Sequence, residues 1–339
     1  MTLAVSIIIP TYNRGKLLNR CVDSVLNACM DQDEIIIVDG ASNNDAEVLI
    51  NRYDHSQLNY VSMKNAGVSA ARNYGLGIAK NDLIAYIDDD DEWHPSKLNI
   101  QRKLLEKHPL AVGCFTNILA TNANGEKQPN FLFQWGQPVQ GWNQLLGEKR
   151  TYVADRHAVE IDYYYGDHYF NQMLDDYVLP SSLLIDRSKF HEPLIYRVGM
   201  QRNESWLYTS QVCRQGPVIY VDFDLTCHHG DSLNRLTEVP QIETVLSRLY
   251  VLEHEFGKQS DFSQKNQVMF NQRLSRELDV LFGAVMSAGI ANRRQIFRDN
   301  AYHGGKIAFA AKIPEPLLSV FSGAFRAARR LRRFMTKRS

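Results

Sequence analysis

Short apolar runs alternate with amphipathic segments along the first third of the chain. The runs, which we predict to be strands, are residues 5–9, 35–38, 58–61 and 83–87. The first of them, residues 5–9, is a continuous apolar run of the kind that is buried on both faces. The segments between them, whose apolar residues repeat at helical spacing, are residues 17–26, 45–53 and 68–79. This order predicts an α/β fold in which a mostly parallel sheet is flanked by helices.

Polar segments directly follow three of the predicted strands, at residues 10–13, 39–42 and 88–91. Ligands of such sheets bind outside the carboxyl ends of the strands. We therefore expect these segments to lie side by side and to form one site.

The pattern changes twice further along the chain. A predicted helix (95–107) and strand (111–119) lead into a stretch rich in Asn, Gln and Gly (121–147), where we expect substrate-specific loops. From about Pro240 the apolar spacing is helical. We divide the chain into two halves of an α/β core, 1–110 and 111–235, and an α-helical extension, 236–339.

Charge is balanced overall but not locally. Lys plus Arg equals Asp plus Glu at 38 each, which gives no indication of a nucleic-acid partner. Acidic residues end at Glu315, and the segment 317–338 interleaves seven basic residues with apolar ones at helical spacing. Such a helix can lie on an anionic membrane surface; a solvated charge run is the alternative.

Cysteines and apolar segments bear on the compartment. The five cysteines are odd in number and form no Cys-x-x-Cys pair, which argues against a disulfide framework and favours a reducing cytosol. The apolar start lacks a basic leader and meets Pro10, and the apolar stretch 280–291 is shorter than the ~20 residues of a membrane span. We expect a cytoplasmic protein, peripheral at the inner face of the membrane.

Consecutive carboxylates, Asp88 to Asp91, follow the fourth predicted strand. Mg²⁺ or Mn²⁺ prefers oxygen ligands and is typically bound by one or two carboxylates together with substrate phosphates. The alternative is an acidic turn that caps the next helix.

Asp39 could accept hydrogen bonds from a base or ribose, or serve an ordinary Asp-Gly turn. Arg72 could bind phosphate with its planar fork of donors, or form a surface salt bridge.

Four segments, in this order and spacing, resemble the family-2 glycosyltransferases. They are Val-Ser-Ile-Ile-Ile-Pro-Thr-Tyr-Asn-Arg, Asp-Glu-Ile-Ile-Ile-Val-Asp-Gly, Asn-Ala-Gly-Val-Ser-Ala-Ala-Arg-Asn-Tyr-Gly and Tyr-Ile-Asp-Asp-Asp-Asp-Glu-Trp. The resemblance is close over about the first 110 residues, weaker to about Arg235, and says little about the extension. It implies a GT-A-type, Rossmann-like fold and inverting transfer from a nucleotide sugar, usually a UDP-sugar.

The resemblance also implies roles for individual residues. The base pocket would be formed by Pro10, Thr11, Tyr12 and Asp39. Arg72 would lie near the diphosphate, with residues 1–110 as the nucleotide-sugar half and residues 111–235 as the acceptor half. Asp88 and Asp90 would form the Asp-x-Asp motif, Asp88 towards ribose and metal and Asp90 as a direct metal ligand. The acceptor would be a glycan or a polyprenyl-linked sugar in surface polysaccharide synthesis.

An inverting transfer needs a carboxylate to take the proton of the acceptor hydroxyl. The family places it in a Glu-Asp pair before a Trp, and the matching stretch here is Glu204-Ser205-Trp206, with serine in place of the aspartate. Glu204 is therefore the candidate base, and a surface helix glutamate is the alternative. His229, in a segment that resembles the family's loop over metal and diphosphate, is a further candidate ligand. A zinc site or a plain loop are its alternatives.

Two other functions are compatible with parts of this pattern. Nucleotidyl transfer uses similar sheets and metals, but it predicts a Gly-rich, Arg-containing loop where this chain has Pro-Thr-Tyr-Asn-Arg-Gly. A non-catalytic nucleotide-sugar-binding or scaffold protein is consistent with Ser205 in place of the aspartate. Hydrolysis of the donor in the presence of metal would separate an enzyme from such a binder.

Overall fold

A computed structural model gives the structure of the chain. It describes residues 3–40, 45–53, 55–64, 67–122, 124–134, 141–154, 159–200, 202–229, 241–259, 262–288, 293–314, 317–318, 322 and 325. The chain divides into two compact units, Met1–Thr237 and Glu238–Ser339. The division of the first unit at 110/111 stays a prediction.

One sheet of eleven strands forms the centre of the first unit. The strands are β1 (Val5–Thr11), β2 (Glu34–Asp39), β3 (Leu58–Ser62), β4 (Leu83–Tyr86), β5 (Asp91–Trp93), β6 (Gly113–Thr121), β7 (Lys127–Gln128), β8 (Arg150–Ala154), β9 (Val159–Gly166), β10 (Leu184–Asp186) and β11 (Val218–His229). Their order is β3-β2-β1-β4-β10-β6-β11-β9-β8, with β5 paired to β11 and β7 to β6.

The sheet is mixed, and its direction determines where the site lies. Strands β3, β2, β1 and β4 are parallel to one another, and β11 is parallel to β6. The short strand β10 lies between these two groups and is antiparallel to both β4 and β6. The two groups of strands therefore run in the same direction. The carboxyl ends of β1, β2, β4, β6 and β11 therefore share one edge, and the predicted α/β fold is confirmed.

Helices cover the sheet and build the second unit. In the first unit they are α1 (Gly15–Ala28), α2 (Asp45–Ile50), α3 (Val68–Ile78), α4 (Lys97–Lys107), α5 (Phe131–Gln134), α6 (Trp142–Leu146) and α7 (Glu204–Gln215). In the second they are α8 (Gln241–Val251), α9 (Gln264–Ser287), α10 (Arg293–Asp299) and α11 (Gly305–Lys312), with a π-helical turn at Leu252–Phe256. Within the described ranges, none of these helices is both long and apolar enough to cross a bilayer.

Helix α3 lies unusually close to the sheet at Gly75. A Cβ added there would come within 2.6 Å of Ile8 Cγ2 and 3.3 Å of Val38 Cγ2, one on β1 and one on β2. Glycine is therefore required for the close approach. Arg72, one turn earlier on the same helix, is thereby held over the carboxyl edge of the strands.

Candidate active site

The aspartate segment begins where β4 ends. The N–H of Asp88 donates to Ser181 Oγ at 3.0 Å, and the indole of Trp93 donates to the carbonyl of Ser181 at 2.7 Å. The side chain of Asp88 is 37% exposed, whereas Asp89 and Asp90 are buried. The segment thus presents one accessible carboxylate and keeps the next two inside. It continues into β5 and does not cap α4, which has Ser96 as its N-cap.

Thr11, the last residue of β1, and Arg14, just after the strand, bind the buried aspartates. Thr11 Oγ1 donates to Asp89 at 2.7 Å, and Arg14 Nη1 donates to Asp89 at 3.1 Å and to Asp90 at 3.2 Å. Burial raises the pKa of Asp89 to about 7, an effect that the bonds from Thr11 and Arg14 oppose. Asn13, at φ +55°, turns the chain between β1 and α1 in a conformation that asparagine tolerates better than most residues.

Asp39 lies beside Thr11 on the neighbouring strand. The two residues are in register in the parallel β1–β2 pair, and the N–H of Gly40 donates to the carbonyl of Thr11 at 2.9 Å. Asp39 is 1% exposed, and Tyr60 on β3 donates its hydroxyl to Asp39 Oδ2 at 2.7 Å. The segments 10–13 and 39–40 and the aspartates from 88 therefore meet at one edge of the sheet, as the sequence pattern predicts; Ala41 and Ser42 lie outside the described residues.

The base-pocket candidates differ in exposure. Pro10 is a buried residue of β1, opposite Val38 on β2. Tyr12, just beyond the strand, is 48% exposed. An exposed aromatic ring next to two buried polar side chains can stack on a planar base, which is the role that the resemblance implies for Tyr12.

Arg72 joins two carboxylates that are far apart in the sequence. Its Nη2 donates to Asp88 Oδ1 at 2.6 Å, and its Nη1 donates to Glu204 Oε1 at 3.3 Å. Burial opposes the charge of Arg72, but the nearby Asp88 and Glu204 outweigh it and raise the pKa of the guanidinium. Arg72 is 3% exposed, so the alternative of a surface salt bridge is wrong.

Glu204 is the first residue of α7. It is 8% exposed, so the alternative of a surface helix glutamate is wrong. Asn203 precedes the helix with φ +59°. Ser205, which stands where the family pattern has aspartate, directs its hydroxyl to Asp176 Oδ2 at 3.5 Å. A second carboxylate is thus close to the position that Ser205 fills.

The two histidines are strand residues at the end of β11, opposite β5. His228 Nδ1 lies 2.8 Å from Asp91 Oδ1, and His229 Nε2 lies 2.6 Å from Glu92 Oε1. His229 Nδ1 also lies 3.3 Å from the hydroxyl of Thr121. Each histidine therefore has a carboxylate partner, while residues 230–232, the rest of the expected loop, lie outside the described residues. The role of His229 as a substrate ligand stays a prediction.

Asp88 and Asp90 are the candidate ligands of a divalent cation in the aspartate segment. Within the described ranges, no group of three or more His, Cys, Asp and Glu side chains is arranged to hold a metal ion by itself. Mg²⁺ sites that carry substrate phosphates need one or two carboxylates, since phosphate oxygens complete the coordination. Asp88, partly exposed at the mouth, and Asp90, two residues on, supply this number.

Sequence reasoning missed several contacts of this site. Arg14 and Tyr60 received no role, although Arg14 stands within the motif that starts at β1. Ser181 lies 93 positions after Asp88, and Tyr196 lies 124 positions after Arg72. No local signal in the sequence marks such distant partners.

A family model, "Glycosyl transferase family 2", matches residues 6–176, just over half of the chain. Among curated relatives, chondroitin synthase of Escherichia coli is 31% identical over 130 residues, and hyaluronan synthase of Pasteurella multocida is 32% identical over 135. Each of these matches covers 38% of this chain. The glycosyltransferase YibD of Escherichia coli K12 is 36% identical over 99 residues, or 28% of this chain. The matches span 18%, 14% and 28% of these three relatives, respectively.

Solved structures agree over nearly the whole chain. S. aureus TarS 1–349 in complex with UDP superposes with a TM-score of 0.63 at 13% identity, covering 96% of this chain and 88% of TarS. The mannosyltransferase PcManGT of Pyrobaculum calidifontis, in complex with GDP-Man and Mn²⁺, gives 0.55 at 14% identity, covering 97% and 86%. At such identity these likenesses establish the GT-A-type fold alone. With the family match, the fold and the motif segments in one place, the chain belongs to glycosyltransferase family 2.

Proposed function

We propose that this chain transfers a sugar, with inversion, from a nucleotide sugar to a hydroxyl of a glycan or lipid-linked acceptor. A UDP-sugar is the first donor to test, because TarS was solved with UDP and with UDP-GlcNAc. The named relatives that synthesise polysaccharide, chondroitin synthase and hyaluronan synthase, support a role in surface polysaccharide synthesis.

The observation that carries the proposal is the contact network from Asp88 through Arg72 to Glu204. Asp88, the candidate ligand of the sugar donor, lies 2.6 Å from Nη2 of Arg72. Glu204, the candidate base, lies 3.3 Å from Nη1 of the same guanidinium. A transferase needs these two functions next to each other, because the acceptor oxygen must attack the carbon that bears the diphosphate.

The proposed reaction assigns one task to each group. Glu204 accepts the proton of the acceptor hydroxyl while that oxygen forms a bond to the anomeric carbon. The bond from this carbon to the diphosphate oxygen breaks, and its electron pair leaves with the nucleoside diphosphate. Arg72 donates to the departing diphosphate, while Asp39 and Tyr12 hold the base. Mg²⁺ or Mn²⁺, when bound by Asp88 and Asp90, would neutralise charge on the diphosphate.

The test is a screen of UDP-, GDP- and dTDP-sugars for release of the nucleotide with Mg²⁺ or Mn²⁺. We expect release from one donor class, a loss of about 100-fold or more in Asp90→Ala, and a fall in kcat of about 100-fold or more in Glu204→Gln, on the scale of a lost general base. Asp31→Ala, an exposed aspartate in the turn before β2, is the matched control and should retain wild-type release.

The outcomes separate the enzyme from a binder. If Glu204→Gln retains full release while Asp176→Asn loses it, the base is Asp176, whose carboxylate lies near Ser205. If the chain binds a nucleotide sugar tightly but releases nothing in the presence of oligosaccharide and polyprenyl-phosphate acceptors, the transferase proposal fails in favour of a nucleotide-sugar-binding protein.

A further inference from the structure

The guanidinium of Arg72 rests on the ring of a tyrosine from a distant segment. Its central carbon lies 4.9 Å from the centroid of the Tyr196 ring. Tyr196 is 0% exposed and Arg72 is 3% exposed, so the contact is shielded from water. A cation over an aromatic face is attracted more strongly when both groups are desolvated.

Tyr196 is itself held from two directions. Asn73, next to Arg72 on α3, donates its side-chain amide to the carbonyl of Tyr196 at 2.8 Å and accepts the Tyr196 N–H at 2.7 Å. The other face of the ring packs on Tyr208 of α7, with centroids 3.9 Å apart and planes 13° apart. The backbone and the ring of Tyr196 are therefore both held by residues other than Arg72.

A third tyrosine, Tyr86 of the sheet, packs against Tyr196 and Tyr208. The ring of Tyr86, the last residue of β4, meets Tyr196 edge-on at 5.4 Å, and its hydroxyl lies 3.0 Å from the hydroxyl of Tyr208. The hydroxyl of Tyr196 has no hydrogen-bond partner among the residues that the structure describes. The ring of Tyr196, and not its hydroxyl, is thus the part that contacts its surroundings.

The orientation of Arg72 depends on this ring. It donates from Nη2 to Asp88 and from Nη1 to Glu204, while Nε has no partner among the described residues. Two bonds at the end of a long side chain leave the plane of the guanidinium free to tilt. The face of the Tyr196 ring, which lies under the central carbon of the guanidinium, restricts this freedom at no cost in hydrogen bonds.

We propose that Tyr196 is a positioning residue, whose ring fixes the Arg72 guanidinium between Asp88 and Glu204. Its effect on transfer rests on the proposed function; its effect on Arg72 does not. Without the ring, Arg72 would still pair with carboxylates, but it would no longer be held where it serves both the donor and the base.

The first experiment observes Arg72 directly. In protein labelled with ¹⁵N-arginine, the Nε–H resonance of Arg72 is assigned by its absence in Arg72→Lys. We expect a resonance protected from exchange in the wild type and in Tyr196→Phe, and loss of this protection in Tyr196→Leu. Unchanged exchange protection of the Arg72 Nε–H in Tyr196→Leu overturns the inference, whether or not the chain proves to be a transferase.

The second experiment measures transfer by the same variants and by their combination with Arg72→Lys. Tyr196→Leu should lower kcat/KM for the donor by roughly 5- to 30-fold, the range expected for a cation–π contact. Tyr196→Phe keeps the aromatic ring and should retain the wild-type kcat/KM. If Tyr196 acts through Arg72, the double variant should be no worse than Arg72→Lys alone.

A structural role of Tyr196 predicts different results. Additive losses in the double variant, or losses that follow the melting temperature rather than kcat/KM of the folded protein, contradict the inference. No nucleotide release by the wild type with any donor counts against the proposed function only, because the Arg72 resonance still decides the role of Tyr196.

Discussion

His168 is a titratable side chain buried among aromatic rings. It is 0% exposed, stacks on Phe115 with centroids 5.7 Å apart, and lies 6.0 Å from Tyr177. Neither ring nitrogen has a hydrogen-bond partner among the described residues, and burial lowers the pKa of His168 to about 3. The folded chain therefore holds this imidazole in its neutral form.

Acid should destabilise the protein through His168. The unfolded chain binds this proton near pH 6.5 and the folded chain only near pH 3, so stability falls as the pH drops between these values. The free energy of unfolding falls by at most ~1.4 kcal/mol per pH unit through this one group. His168→Phe keeps an aromatic ring in the cluster and should flatten this dependence, as measured by urea unfolding from pH 7 to pH 4. His191→Phe, at an exposed histidine, should leave the wild-type slope unchanged; an equally steep slope in His168→Phe would contradict the prediction.

The residues that the sequence predicts well are those next to a strand end. Asp39, Asp88 and Asp90 are placed by the apolar runs before them, because parallel strands bring their carboxyl ends together. Tyr196, in an irregular segment, and Ser181, in a three-residue 3-10 turn, reach the site through tertiary packing, which has no local period. Prediction from spacing therefore recovers the carboxylates at the edge of the sheet and misses the residues that hold them in place.

Helix α3 depends on a glycine for its distance from the sheet. In Gly75→Ala the new Cβ would meet Ile8 Cγ2 at 2.6 Å, so the helix must shift outward. Overpacking of this kind costs about 1–3 kcal/mol. We expect a lower free energy of unfolding and weaker nucleotide binding, because Arg72 lies one turn away on the same helix.

Gly77 on the same helix is the matched control for Gly75. An added Cβ there meets nothing within 4 Å, so Gly77→Ala should stabilise the helix by up to ~1 kcal/mol and leave nucleotide affinity unchanged. Chemical unfolding and calorimetric titration with the nucleoside diphosphate measure both effects. Equal nucleotide affinities and equal free energies of unfolding in the two variants would show that close packing at Gly75 does not determine the position of Arg72.

Predicted elements differ in how closely they match the structure. The first four strands agree to within two residues at each end. Strands β1, β2 and β4 are largely buried, as expected for apolar runs in a parallel sheet, whereas β3 at the edge of the sheet is only partly buried. The sequence pattern does not predict the short strand β5, because three residues carry no detectable period. Pairing with β11 stabilises it, and that partner lies over 130 residues away in the sequence.

At the scale of the whole molecule, we propose that the basic segment 317–338 attaches the enzyme to an anionic membrane surface. Residues 326–339 lie outside the described residues, so the argument rests on the sequence. The chain should sediment with vesicles that contain phosphatidylglycerol, with about 1 kcal/mol contributed by each basic residue near the surface and weaker binding as salt is raised. A truncated variant that ends after Phe325, and so lacks all seven basic residues, should stay in the supernatant.

The control for this experiment is a vesicle of phosphatidylcholine alone. Little binding of the intact chain to it is expected, because the attraction is electrostatic. Equal binding to both vesicle types, or undiminished binding after the truncation, would show that the basic segment is a solvated charge run.

The three-residue strand β10 has a consequence for how this protein can be shortened. Residues 184–186 lie between β4 and β6, yet the family match ends at residue 176. A chain trimmed to that match would expose the edges of both strands, with rows of N–H and C=O groups ready to pair with another molecule. We therefore expect a fragment that ends at residue 176 to aggregate, and a fragment that stays monomeric to extend beyond the segment that defines the family.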